Sequence, residues 1–497
     1  MSVSLTRGLF LDNASVPIGT RATLDVVDPA DGSIVGRAAR ATRDDARAAM
    51  DSAARAQPAW EAIGAAARAK ILVRAAERLR ARADELARLV TREMGKVLFE
   101  SRSEVEGAAD NFEYYAAFAR TLSGEEVAGL PTGETMRLLW VPRGVVVAIT
   151  PWNFPAATVT RKIAPALLGG NTMVLKPSSN TPLSSLLIAE VLKEAGLPSG
   201  VLNVVTGGGA EVGPGLIQHP QCSTVTLTGS TSSGIDVLRL AAPGVVKCLL
   251  ELGGKAPVLV GRDADLDWAA RATVWARFWN AGQACIAAER VYVDRAVAEA
   301  FRTRVAGLVG KLRVGPGLAP GVDMGPLYSK HARDTIAKDV REAVDAGATV
   351  VVGGEVPKAT AFAGGAFYQP TVLGDVEEEN AVVAQEEIFG PVLPLLTFAD
   401  WDEAIRRANA SRYGLSSYVF TRDLSLAEKA IRELRYGETY VNRVGPETPQ
   451  GYHGGFRQSG LGGEGTVWGV RDYLQLKTVY VDWKEPHRAD YFPPYPD

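Results

Sequence analysis

"GVVVAITPWNFPAATVTRKIAPALLGGNTMVLKPSS", residues 144–179, sets two apolar runs, "GVVVAIT" and "NTMVLKPS", on either side of a helix-like stretch. Neither run alternates apolar with polar residues, as a strand with one wet face would. Both therefore read as strands covered on both faces, and strand–helix–strand in this order is a βαβ unit with parallel strands. "GVLNVVTG" (200–207) and "STVTLTGS" (223–230) continue the series. A similar alternation resumes after residue 255, in "APVLVG", "RVYVD", "ATVVVGG", "SSYVFTRD" and "ETYVN", and predicts a second α/β unit.

Outward from this centre the pattern changes. Thr42, with an Asp three positions later, is a capping-box start for an Ala-rich helix. From Ala66 to about Met94 the residues Leu72, Leu79, Leu86 and Leu89 recur at helical spacing, predicting one long amphipathic helix. Residues 123–144 and the tail "LQLKTVYVDW" (474–483) read instead as exposed antiparallel strands. Long, partly apolar edge strands need covering, and another subunit is the usual cover. The absence of repeats and of low-complexity linkers predicts one compact body.

The totals set limits. A chain of 497 residues is long enough for two or three structural units. A net charge of -3, without a concentrated basic face, excludes an electrostatic footprint for nucleic acid or anionic membrane. The partner expected is a small molecule. Three cysteines, Cys222, Cys248 and Cys285, fit neither a disulfide framework nor a zinc site, so no metal is expected. Together with the lack of an apolar leader or membrane-length run, they place the protein in a reducing cytoplasm.

Three short stretches carry chemistry. In "NAGQACIAAER" (280–290), Cys285 reads either as a small buried residue or as a nucleophile. Small neighbours would let a substrate approach, and the turn would offer the Cys backbone N–H to an oxyanion. In "LELGGKAP" (250–257), Glu251 passes from an apolar run into a Gly turn; it is either a solvated turn residue or a desolvated general base. In "TPWNFP" (150–155), Asn153 sits in a turn stiffened by two prolines, as an Asx turn or as a second oxyanion donor.

With "LKPS", "TGS" and "EEIFGPV" in the same order, these stretches resemble the aldehyde dehydrogenase superfamily along nearly the whole chain. The resemblance implies a Rossmann-like parallel-sheet cofactor domain (1–122 and 143–252), a second α/β catalytic domain (253–470) and small antiparallel oligomerisation strands (123–142 and 471–497). It implies a homodimer or homotetramer. It makes Cys285 the nucleophile, Glu251 the base and Asn153 the oxyanion amide. An aldehyde would become a thiohemiacetal, then a thioester, then an acid, with hydride leaving to NAD or NADP. Glu464 matches a carboxylate that helps move protons in some relatives.

The Gly-rich connection "TGGGAEVG" (206–213) is not GxGxxG, and by itself is equally an ordinary turn. By resemblance, Thr150, Trp152, Lys176, Ser179, Gly209, Gly229, Ser230, Glu387 and Phe389 contact the dinucleotide. Many NAD-preferring relatives carry Glu where Ser179 stands, so NADP is expected to be tolerated. Residues 436–463 are most similar to the lactaldehyde and glycolaldehyde dehydrogenase branch, which assigns Arg161, Glu447 and His453 to a small polar aldehyde. Ile286 departs from that branch, which has Asn there, and "WNFPAATVTRK" is equally similar to succinate-semialdehyde dehydrogenases. A CoA-acylating relative usually lacks Glu251, and a non-catalytic one would lack Cys285; both residues are present.

Overall fold

The computed structural model describes residues 5–128, 130, 134–377 and 380–482. The quoted stretch forms strand Val145–Ile149, helix Ala157–Leu168 and strand Thr172–Lys176, and the two strands pair in parallel. Both are almost entirely buried, as runs without alternation require. They lie inside an eight-stranded sheet. Its five parallel strands run in the order Lys247–Glu251, Cys222–Thr228, Val145–Ile149, Thr172–Lys176, Leu202–Val204. Antiparallel strands close both edges: Leu9–Leu11 with Ala14–Val16 on one side, and Gly460–Leu461 on the other. The last of these brings residues from far along the chain back to the first sheet.

A second, seven-stranded sheet holds Ala256–Val260 and Ala288–Asp294 at its centre, with Val392–Phe398 and Ser416–Phe420 flanking them in parallel. Its edge strand Thr349–Val352 pairs antiparallel with Thr371–Gly374 and is only half-buried. "ATVVVGG" therefore differs from the buried parallel strands beside it. Each sheet has its own apolar core, with Val146, Leu175, Ile163 and Leu186 in one and Val258, Val291, Leu393 and Phe420 in the other.

Thr42 caps helix Arg43–Ala62, and Asp45 returns the bond, completing the capping box. The long helix predicted over 66–94 is instead two, Ala65–Ala81 and Ala83–Met94, broken at Arg82. No Pro or Gly marks the break. Arg82 ends one helix with its N–H on the Arg78 and Leu79 carbonyls and starts the next with its own carbonyl under the Leu86 N–H. All four leucines remain buried, so the leucine periodicity survives the change of axis.

The two edge segments pair with each other: Leu474–Val481 lies antiparallel to Thr135–Pro142, and Glu125–Val127 joins on the far side. Leu139, Leu476 and Tyr480 are exposed on this three-stranded sheet. Residues 129, 131–133 and 483–497 of the expected oligomerisation strands lie outside the described residues. No helix among the described residues is long and apolar enough to cross a membrane.

Candidate active site

Parallel strands end on the same side, and three of them deliver the motifs together. Thr150 follows strand Val145–Ile149, Gly229 follows Cys222–Thr228, and Glu251 ends Lys247–Glu251 beside Thr228. The cavity at this edge has a volume of about 400 Å³. It is lined by Cys285, Glu251 and Asn153, by Trp152, Gly229, Ser230, Glu387 and Phe389, and by Arg161, Glu447, His453 and Glu464. Thr150, Lys176, Ser179 and Gly209 lie outside this lining.

The nucleophile's turn is wound left-handed before Cys285, with φ of 51° at Asn280, 53° at Ala281 and 75° at Gly282. Such a conformation is costly for Asn and Ala and persists only where neighbours over-determine it. Here the Asn280 N–H donates to Glu100 (2.9 Å), and its side-chain amide donates to the carbonyls of Asn153 (3.1 Å) and Gln283 (3.2 Å). The Asn153 amide donates to that same Gln283 carbonyl (3.0 Å), so the Asn153 turn and the Cys285 turn are tied into one unit. Glu104, paired with Lys96 at 2.6 Å, accepts from the N–H groups of Ala156 and Ala157 just after Asn153. Lys96, Glu100 and Glu104 form a buried charged stripe that the sequence reading passed over. Their four-residue spacing was visible, but a charged helix stripe is ordinarily solvated.

Glu251 is 5% exposed, and neither carboxylate oxygen has a hydrogen-bond partner among the described residues. Burial pushes it up to about 8, against the pull of His453 and with a push from Glu464. Both glycines after it are required by close approach. A Cβ at Gly253 would collide with the Glu387 carboxylate, and one at Gly254 with the Cys285 carbonyl. Glu387 in turn accepts from the Gly254 N–H (2.9 Å). Lys255 of the same motif pairs with Glu289 of "AAER" at 2.8 Å, and Glu289 accepts from Ile388 of "EEIFGP" (3.1 Å). Arg277 binds Glu289 and the Ile388 and Gly390 carbonyls. A buried ion network thus joins three motifs that are distant in sequence.

At the other end of the cavity Arg161 pairs with Glu447 at 2.5 Å and approaches Glu464 at 3.7 Å. Burial would raise the Glu447 carboxyl, but Arg161 and then His453 override it and hold it at about 2. Lys162, fully buried, binds Glu464 (2.6 Å) and the Thr226 hydroxyl (3.0 Å). His453 is buried with Nδ1 on Glu438 (3.0 Å) and Nε2 facing Glu251 (3.8 Å). Lys162 and Glu438 carried no flag in the sequence, because each sits in an otherwise ordinary helix or strand.

The dinucleotide residues fall into two groups. Trp152 stacks on Tyr328 at 3.8 Å and meets the edge of Phe389 at 5.6 Å, while Ser230 caps helix Thr231–Ala241 beside Gly229. Lys176 is buried with its ammonium on the Pro177 carbonyl, and burial lowers it to about 8. Ser179 donates to the Gly207 carbonyl (2.9 Å), and a Cβ on Gly209 would lie 4.0 Å from Lys176. The residues fit a dinucleotide: the Thr150 and Thr228 hydroxyls are buried without hydrogen-bond partners among the described residues, and the Gly229 turn precedes a helix N-terminus, where phosphate is favoured.

A parallel sheet with a crevice at its strand ends, meeting a cysteine turn and a buried glutamate without a hydrogen bond among the described residues, defines an oxidoreductase of the aldehyde dehydrogenase kind. The aldehyde dehydrogenase family profile matches residues 18–479, and the chain belongs to that family. It is 43% identical to the D-glyceraldehyde dehydrogenase (NADP(+)) of Thermoplasma acidophilum, with 96% of each chain covered. It is 41% identical to the NADP(+) succinate-semialdehyde dehydrogenase of Escherichia coli, over 92% of this chain and 94% of that one. The crystal structure of Escherichia coli lactaldehyde dehydrogenase superposes with a TM-score of 0.93 at 41% identity, covering 96% of this chain and all of that one.

Proposed function

We propose that this chain oxidises a small neutral hydroxyaldehyde, of the lactaldehyde or glyceraldehyde type, to its carboxylic acid with NADP or NAD. Cys285 attacks the carbonyl carbon, and the resulting oxyanion lies within reach of the Asn153 amide and the Cys285 N–H. The bound dinucleotide supplies the hydride acceptor, with Lys176 and Ser179 at its adenosine end and Glu387 and Phe389 at the nicotinamide end. Glu251, whose oxygens accept no hydrogen bond among the described residues, then takes a proton from the water that cleaves the thioester.

The observation that carries the substrate class is the pairing of Arg161 with Glu447. A semialdehyde needs a cation for its distant carboxylate, and this guanidinium is already committed. The lining holds five glutamates, Glu104, Glu251, Glu387, Glu447 and Glu464, against Arg161 and His453. Glu104, Glu447 and Glu464 are paired with Lys96, Arg161 and Lys162, and His453 with Glu438, so the lining offers an anion no uncommitted cation, whereas a hydroxyl finds both donors and acceptors. Comparison of kcat/KM for lactaldehyde, glyceraldehyde and succinate semialdehyde tests this reading. The hydroxyaldehydes are expected to lead by at least about tenfold; a lead for the semialdehyde would overturn it.

NADP use is supported by Ser179, a neutral hydroxyl beside the Gly207–Gly209 connection and Lys176. Ser179→Glu places a carboxylate against the 2′-phosphate and should shift the NADP/NAD ratio of kcat/KM roughly a hundredfold toward NAD. An unchanged ratio would place Ser179 away from that ribose. The exposed Leu139, Leu476 and Tyr480 support a homo-oligomer built on the three-stranded sheet. Light scattering should return at least a dimer, and a monomer would contradict this.

A further inference from the structure

We propose that His453 is a second catalytic group acting on the nucleophile: held as an imidazolium by Glu438 and Glu447, it stabilises the Cys285 thiolate. The inference goes beyond the function proposed above, which needs His453 only as a polar wall.

The geometry is that of an oriented ring. The backbone of His453 is fixed by a reciprocal pair with Glu464, N–H to carbonyl at 2.8 Å and 2.7 Å. Nδ1 is then taken by one Glu438 oxygen at 3.0 Å. The other Glu438 oxygen accepts from the hydroxyls of Ser416 (2.8 Å) and Tyr440 (3.0 Å), which holds Glu438 in place. Only Nε2 remains, and it faces the cavity that Cys285 and Glu251 share. A thiol, an imidazole and a carboxylate in this order recur wherever a cysteine must be activated near neutral pH.

The charges around the ring favour its protonated form. Strand Lys247–Glu251 presents Glu251, strand Glu438–Val441 presents Glu438, the following loops present Glu447 and Glu464, and helix Ala157–Leu168 opposes them with Arg161 and Lys162. Burial would discharge the ring, yet Glu447, the hydrogen bond with Cys285 and Glu438 together raise His453 well above its ordinary value. On the sulfur, burial holds the thiol above its ordinary value, and the bond and charge of His453 are what oppose that rise. Because the ring already holds its proton, the S–H proton leaves to solvent water, and the electron pair stays on Sγ for attack on the carbonyl carbon.

The test is the pH dependence of Cys285 alkylation by iodoacetamide, with the modified peptide quantified by mass spectrometry in wild type, His453→Asn and Glu438→Gln. No aldehyde is present, so the outcome is independent of the substrate reading. His453→Asn should raise the midpoint by at least about one pH unit and slow alkylation at neutral pH about tenfold. Glu438→Gln, which leaves the ring in place, should shift the midpoint in the same direction by less. A midpoint unmoved in both variants, with only the KM for aldehyde increased, would make His453 a substrate contact and overturn the proposal. Should His453→Asn fail to fold, an unmoved Glu438→Gln midpoint overturns it equally.

Discussion

Cys285→Ser is expected to lower turnover at least about a thousandfold while leaving dinucleotide affinity within a few-fold of wild type. Serine fills the same space, so the Asn280–Gly282 turn and its bonds to Glu100 and Asn153 have no reason to move. What changes is the attacking atom, because a hydroxyl is far less ionised than a thiol near neutral pH. Lys176, Ser179 and Gly209, the residues proposed for the adenosine end, lie outside the cavity lining. Steady-state assays, with dinucleotide binding followed by fluorescence, separate the two effects. Turnover within tenfold of wild type would remove Cys285 from the chemistry.

Glu251→Gln should give a different defect, one burst of NAD(P)H per chain followed by steady-state turnover slower by about a hundredfold or more. The amide keeps the shape of the side chain but cannot accept water's proton. The wild-type pH profile carries the same signature. Glu251 must be ionised to act, and burial pushes it up to about 8, so below that pH most of it is protonated and idle. Where hydrolysis limits the rate, turnover should therefore rise as pH increases through about 8, and Glu251→Gln should lose that rise. Loss of the burst together with turnover would assign Glu251 to acylation instead.

The parts legible in the sequence share a physical reason. The strands of residues 144–178 could be read because a strand buried on both faces must be apolar throughout, and Val145–Val147 and Met173–Leu175 are. The capping box of Thr42 and Asp45 is local, and was equally plain. What could not be read depends on distant partners. The break at Arg82 has no Pro or Gly to announce it, and the strands Thr371–Gly374 and Val392–Phe398 are not among the runs that read as strands.

The active site shows the same division. Cys285, Glu251 and Asn153 stand in motifs whose order is visible, and all three line one cavity. Lys96, Glu100, Glu104, Lys162 and Glu438 look like surface charges in sequence. Each is buried or nearly so because its counter-charge or backbone donor arrives from another element. Buried charge is tolerated only when paired in this way, and partners as distant in sequence as Glu464 for Lys162 and Asn280 for Glu100 leave no local trace. Arg161 shows the same limit: its sequence position suits a polar or an anionic aldehyde, and its pairing with Glu447 is what favours the neutral one in the function proposed.

The central claim is that the aldehyde is oxidised while covalently held by Cys285. Intact-protein and peptide mass spectrometry of Glu251→Gln, quenched after mixing with glyceraldehyde and NADP, tests it most directly. One acyl adduct per chain is expected, located on Cys285 and absent when NADP is omitted. NADPH produced with no adduct on any cysteine, or with the adduct on Cys222 or Cys248, would contradict it.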